Sequence, residues 1–521
     1  MEKKIVYYSE FGAVGDGVHE DFEAIVKCHE YANENGCKVM ADAGKSYYIE
    51  NTDGVSAIVK TDVDWVDATF IIDDRNIGVE NKSRTAHIFR ILRDHASVRH
   101  EENSDLVKAL NAKCPIDADS FTNIGYAPGY PALLAIYDNE HTAYLRWGCH
   151  ATGKPNPQRE LIVVDAEGNI DPNTKFLLDY NHVSYVDEFR IDDTPITVEN
   201  GIFITRANAA PPKYTSYARG LAIERSNVTI RGTVHKITDE GPYGAPYQGF
   251  ISWYGINNLL CENLSLVSHK SYKDYEYDEE GKVVKVHSIM GSYDIGGSFT
   301  TNVKFKNCTQ SNFWKYEAKR RPFSERERWG IMGTNYCKNL TYEDCLLSRL
   351  DAHAGVYNVT IKNTTISYIK LTGGGKALIE NSTIIVPDWA WGPVFELRAD
   401  YGSTWKGDIL VKDCVYINEM RPENYLCYAK WNNWPFGYTT YLPNITFDNL
   451  KIDKPLEKNY IFTPLHPDPK MNLDEPTLYD GNENKNPMVI TPTITIKNNN
   501  GYNFVACPTE YVSEKIKIVE E

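Results

Sequence analysis

From about residue 220 onward one short pattern returns nine times: a small or polar residue, often Asn, then alternating apolar and polar residues, then Asn or Asp. It is read in SNVTIRG at 226, NNLLCENLSL at 257, TNVKFKNCTQ at 301, KNLTYEDCLL at 338, YNVTIKNTTI at 357, KALIENSTI at 376, GDILVKDCVY at 407, PNITFDNLKI at 443 and PTITIKNNNG at 492. Each copy is a period-two strand rich in Val, Ile and Thr. The copies are roughly 19 residues apart at the tightest and roughly 30 to 50 where loops intervene, as expected when each coil is a fixed rung carrying variable excursions. A core built this way grows lengthwise, so the usual allowance of about 150 residues per domain does not set the domain count. An immunoglobulin-like sandwich would need hairpins every 8 to 12 residues or so, and few Asn-Gly or Asp-Gly turns separate these strands. The pattern therefore predicts an all-β solenoid of stacked parallel strands. Asn suits its corners, because it tolerates left-handed backbone and its amide can bond to the Asn above and below. The same habit creates sequons, for example at Asn227, Asn339, Asn358, Asn381 and Asn444, which rung corners explain better than glycosylation.

The chain of 521 residues is 42% hydrophobic and 24% charged, which excludes disorder as its main state. A net charge of −16 would repel a polyphosphate, so nucleic acid is not an expected partner. No run of about 18 apolar residues and no signal-peptide core is seen, so neither a membrane span nor secretion by that route is indicated. A cytoplasmic or virion-associated location is favoured, although a mature domain without its leader would look the same. The 11 cysteines form no CxxC pair or zinc-like cluster, and no cofactor or metal is expected. No phosphate-binding fingerprint appears in its strand-to-helix context. The 35 Tyr and 10 Trp are notable, because such rings stack on sugar faces as well as filling cores.

The N-terminus, FGAVGDGVHEDFEAIVKCHEYANENGCKVMADAGKSYYIEN, runs from a Gly-rich turn (Gly12, Gly15, Asp16, Gly17) into a helical stretch with Phe22, Ile25, Val26 and Tyr31, then a strand at 38–40. This segment resembles the opening of the pectate-lyase-like superfamily, which begins with FGA-x-GDG, an acidic pair, a capping helix and a strand. It departs at Glu20-Asp21, where that pattern has two Asp, and lacks the Phe-Pro-Pro-Gly turn. The resemblance implies a right-handed parallel β-helix whose N-terminal helix plugs the open end of the coil. The expected organisation is a cap and first coils over 1–93, an inserted antiparallel β module over 94–200, central coils over 201–460 and a C-terminal coil and tail over 461–521. The insert would cover a groove or make an oligomer contact.

Four segments break the rung pattern with Asp, His, Arg or Glu beside Gly or aromatics: HSIMGSYDI at 287, ERERWGIMGTNYCKN at 325, SRLDAHAGVYN at 348 and FELRADYGSTW at 395. Together they resemble a set found in uncharacterised bacterial and phage-tail β-helix proteins, which implies a carbohydrate context without a reaction. On a strand Arg349, Asp351 and His353 project from one face. Buried, they form a structural triad; exposed, an acid/base site. Glu396, Arg398 and Asp400 repeat the alternation, the acids serving chemistry or merely holding the arginine. Asp294 is a further carboxylate, or a rung-corner cap. Weaker substrate-binding candidates are His269, Lys270, Tyr293 and a basic run at Lys319, Arg320, Arg321, Arg326 and Arg328, beside Trp329. That run is a solvated loop or an anion clamp. Trp389, Trp391, Trp405, Trp431 and Trp434 are loop residues suited to sugar stacking.

Two chemistries fit. Hydrolysis needs two carboxyl groups, about 5 to 5.5 Å apart for retention or 6.5 to 9.5 Å for inversion, for which Asp294, Asp351, Glu396 and Asp400 are candidates. Elimination needs a base beside a uronate and a cation on its carboxylate, which His353 or Lys270 with Arg349 or Arg398 would supply. Hydrolysis of a polysaccharide or oligosaccharide is the favoured reading and a lyase the runner-up. A reading from another class is a tail spike or adhesin that binds glycan without cleaving it, and a homotrimer goes with a spike. Both enzyme readings place Arg349, Asp351, His353, Glu396 and Arg398 on one accessible strip.

Overall fold

The computed structural model describes residues 4–521 except 119, 147–154, 212–215, 242–243, 268, 270–273, 281, 288–292, 311–330, 387–391, 420–424, 430–439, 466–487 and 490–491. Its main feature is a 31-stranded sheet whose described pairings are all parallel, the rungs of a β-helix as the repeats imply. Register partners along one inward column are Leu221, Ile251, Ile295, Met332, Leu350 and Ile369, all buried. Each such side chain contributes about 1.5–3 kcal/mol by leaving water. Aromatic rings stack along the same interior, Phe70 on Phe203 at 4.8 Å and Phe305 on Tyr342 at 5.4 Å.

The corners are asparagine ladders. Asn227, Asn258, Asn302, Asn339 and Asn358 all take left-handed backbone, with φ between 57° and 63°, where a short amide side chain is tolerated. Asn258 donates to Asn227 (2.8 Å), Asn339 to Asn302 (2.9 Å) and Asn358 to Asn339 (3.0 Å). A second corner repeats the device with Asn307 on Asn263 and Asn381 on Asn363.

Helix Phe22–Asn35 turns Phe22, Ile25, Cys28, His29 and Ala32 into the first coil and ends at Gly36, φ 66°. The Gly-rich turn folds over Asp21, whose carboxylate accepts from the backbone N–H of Val14 (2.6 Å), Gly15 (3.3 Å) and Tyr48 (3.3 Å). The Tyr8 hydroxyl joins Trp65 Nε1 to His29 Nε2 at 3.0 Å each.

The interruption of the rungs contains a four-stranded antiparallel sheet, ordered Pro155–Val164, Ala132–Leu145, Tyr185–Arg190 and Val98–Glu101. One face packs on helix Asp105–Asn111, and the other, with Leu133, Tyr137 and Phe189, meets Phe299 of the coil. Lys338 of the coil reaches into this module, donating to Glu160 at 2.6 Å with both side chains at most 1% exposed. Strand Ile196–Glu199 is already a rung, pairing with Val63–Asp64 and Val228–Arg231. The last strands, Thr493–Lys497 and Lys517–Glu520, stay in the parallel sheet. Among the described residues no helix is long and apolar enough to cross a membrane.

Candidate functional site

One outward column runs Arg90, Ala222, Ser252, Gly296, Gly333, Asp351, Lys370, Glu396 in successive rungs. Its four small members leave a trough, a groove of about 470 Å³ flanked by Tyr254, Tyr293, Glu224, Asn335 and His353. Tyr254 is 43% exposed. The Tyr293 ring lies on Gly333, where a Cβ would come within 2.3 Å of its Cε1. Glu224 is held by Arg90 Nε at 2.9 Å.

Two β-bulges aim side chains at this trough. Residue 294 is extra between the pairs Tyr293↔Ile331 and Ile295↔Met332, and residue 353 is extra between Thr334↔Ala352 and Asn335↔Ala354. Bulges of this kind re-aim neighbouring side chains, here Tyr293 and His353. The His353 Nδ1 lies 2.7 Å from Asn335 Oδ1, so Nδ1 carries the proton and Nε2 the lone pair. Burial, reinforced by the Arg398 charge, pushes the His353 pKa down to about 3. The ring is therefore neutral at pH 7.

Beyond the trough lies a chain of ions. Arg349 Nη2 donates to Asp351 at 2.6 Å. Arg398 Nη1 donates to both Asp351 oxygens at 2.7 Å, and its Nε and Nη2 donate to Asp400 at 3.0 and 2.9 Å. Arg146, from the end of module strand Ala132–Leu145, closes the chain on Asp400 at 2.8 Å. Burial alone would raise the Asp351 carboxyl, but Arg398 and Arg349 outweigh it and hold it well below the usual range. Asp400 sits at about 2 because Arg398 and Arg146 likewise overcome burial. Lys370 donates to Glu396 at 3.0 Å in the adjoining rungs.

The structure thus brings Arg349, Asp351, Arg398 and Asp400 together, with His353 beside them, but not as the open strip expected. Asp351 is 2% exposed, and Glu396 and Arg398 7% each, because the acids stack against cations from other rungs. Asp294 as a catalytic carboxylate is corrected: it is buried and accepts from Gln310 Nε2 at 2.5 Å, inside a network that continues to Ser348. Trp405 as a sugar platform is corrected too. It begins strand Trp405–Lys412, opposite Gly373, and its ring fills the core at 0% exposure. His269 is buried with its ring on Tyr247 at 3.7 Å. Lys270, Lys319, Arg320, Arg321, Arg326, Arg328, Trp329, Trp389, Trp391, Trp431 and Trp434 lie outside the described residues. Sequence reasoning missed Arg146, Glu224, Tyr254, Asn335 and Lys370. Only the trough had a visible signal, the aligned small residues of GGS at 296 and MGT at 332.

No family model matches the chain. The capsule KL64-specific depolymerase of Klebsiella phage P510 is 29% identical over 168 residues, 30% of this chain but only 15% of that protein's length. Among solved structures, PfbA, a surface adhesin of Streptococcus pneumoniae, is 13% identical with a TM-score of 0.39, over 86% of this chain and 89% of that one. The Gp54 tailspike of Acinetobacter baumannii bacteriophage AP22, in complex with capsular saccharide, is 11% identical with a TM-score of 0.32, over 88% and 77%. The stacked parallel rungs expected from the repeats are present in the sheet. This is a parallel β-helix.

Proposed function

We propose that this protein binds a polysaccharide along the trough and cleaves it there, with His353 as the proton acceptor. The observation that carries the reading is the trough itself: a floor of Ala222, Ser252, Gly296 and Gly333, tyrosines at its side and a neutral imidazole at one end. Flat sugar rings suit a floor without side chains and walls of tyrosine. The capsule depolymerase among the relatives supports a glycan as partner and a virion as setting.

The ion chain bears on the chemistry. Hydrolysis by paired carboxylates needs one of them protonated at working pH, and Asp351 and Asp400 are held ionised by their arginines. Proton acceptance is assigned to His353 Nε2, whose pKa of about 3 has to rise when glycan is bound for it to act on water in hydrolysis or on the C–H beside a uronate in elimination. The test is a screen of purified protein on neutral and uronic-acid polysaccharides, following reducing ends and unsaturated-uronate absorbance together. Reducing ends alone mean hydrolysis, and both signals mean elimination. Either signal must fall in His353→Ala; full activity in that variant refutes the assignment. A second reading, binding without cleavage, is favoured by the saturation of the cluster's carboxylates. Retained glycan binding without either signal selects it, and light scattering decides whether a trimer accompanies it.

A further inference from the structure

The chain Arg349, Asp351, Arg398, Asp400, Arg146 alternates in sign and both starts and ends on arginine, so it holds three cations and two carboxylates. Lys370 and Glu396 beside it cancel. Among these described residues cations outnumber carboxylates by one, in a chain of net charge −16. The third arginine is not needed to neutralise Asp400, which Arg398 already holds through two parallel hydrogen bonds. Arg146 adds only its Nε, and its guanidinium has no other hydrogen-bond partner among the described residues. Its side chain is 21% exposed. The guanidinium stands 5.4 Å from the Tyr401 ring, and the His353 ring meets the same tyrosine edge-on at 5.4 Å.

We propose that Arg146 is an anion-recognition residue, receiving the carboxylate of an acidic sugar at a subsite next to His353. This rests on the reading of the trough as a glycan site and adds the charge of its ligand. The planar fork of a guanidinium matches a carboxylate with two donors, and the Nη groups of Arg146 are the pair available. The module earns a role in the site by this route: it delivers Arg146 while Tyr144 packs on Tyr401 at 5.9 Å and Lys338 anchors it on Glu160. The subsite also acts on the base. Besides burial, His353 feels Arg398 and Arg146, which disfavour its protonation, and Asp351 and Asp400, which favour it. A carboxylate on Arg146 offsets part of the cationic field, so the imidazole becomes a stronger base when an acidic sugar is in place.

The test uses the full chain with D-glucuronate, D-glucose and glucose 6-sulfate, binding being followed by NMR at neutral pH. Glucuronate is expected to bind about tenfold more tightly than glucose. The preference should vanish in Arg146→Gln and be reduced but not lost in Arg146→Lys, which keeps the charge without the fork and controls for misfolding. Equal binding of glucuronate and glucose to the wild type, or an unchanged preference in Arg146→Gln, overturns the subsite. Glucose 6-sulfate binding as tightly as glucuronate overturns the carboxylate assignment. If neither sugar nor any longer glycan binds the wild type, the trough reading itself falls, an outcome distinct from a groove that binds both sugars alike.

Discussion

Replacing Lys338 by Met tests how the inserted module is held. The ammonium is buried and donates to Glu160 (2.6 Å), the Thr174 carbonyl (3.2 Å) and the Lys175 carbonyl (2.9 Å). Glu160 keeps the N–H donors of Leu177 (2.6 Å) and Leu178 (3.0 Å), but these do not neutralise it. Burial pushes its carboxyl up even with Lys338 present. Removing the cation therefore strands a carboxylate at 0% side-chain exposure, a loss of about 3–5 kcal/mol by analogy with other broken buried pairs. Two backbone donors place the value toward the lower end. The double variant Lys338→Met with Glu160→Leu removes both charges and should recover part of the loss; it does not recover all of it, because the Leu177 and Leu178 N–H groups and the Thr174 and Lys175 carbonyls lose these partners. Hydrogen exchange of strand Pro155–Val164 against urea reads the effect where it acts, since module and coil need not melt together. A single variant costing under about 1 kcal/mol, or a double variant no better than the single, would refute the argument that charge burial dominates this joint.

Three further outcomes follow from the same geometry. His353→Ala should lower cleavage roughly 10²- to 10⁴-fold with glycan binding retained; comparing kcat with binding separates this from a collapsed groove. Gly333→Ala puts a methyl 2.3 Å from the Tyr293 ring, so calorimetry should show weakened glycan binding and melting a loss of about 1–3 kcal/mol; unchanged binding means the ring is no wall. Burial lowers the pKa of His29 to about 3, His87 to about 4 and His353 to about 3. The unfolded chain, with histidines near 6.5, takes up protons first, so stability is full above about pH 6.5 and lost as pH falls toward 3. A melting temperature equal at pH 7 and pH 4.5 contradicts this.

The coil was legible because its cause is local. Alternation decides which side chains of a rung face inward, and a left-handed Asn marks the corner, so KNLTYEDCLL or YNVTIKNTTI carries its own structure. The helix at Phe22–Asn35 was visible for the same reason. The site was less so, since it depends on stacking. Arg349 and Asp351 share a face as alternation requires, yet what Asp351 becomes is decided by Arg398, 47 positions away. The bulge that re-aims His353 leaves no mark in the sequence. Trp405 looked like a loop residue because Gly402, Ser403 and Thr404 precede it, but Gly373 across the rung draws it into a strand. Arg146 reaches the site through the docking of a separate module, which no window of sequence contains.

The corner ladders bear on how this protein can be produced. In five of the nine sequons the side-chain nitrogen that an oligosaccharyltransferase would modify is already a donor to a neighbouring coil: Asn227 to the Asp192 carbonyl, Asn339 to Asn302, Asn358 to Asn339, Asn381 to Asn363 and Asn444 to Asp408. A finished coil offers the enzyme no acceptor there. A chain routed through a eukaryotic secretory pathway would be modified only while still unfolded, and each attached glycan would then stand where the next corner has to dock. Yeast or mammalian secretion should accordingly return misassembled, glycosylated material, whereas a bacterial cytoplasm imposes no such obstacle.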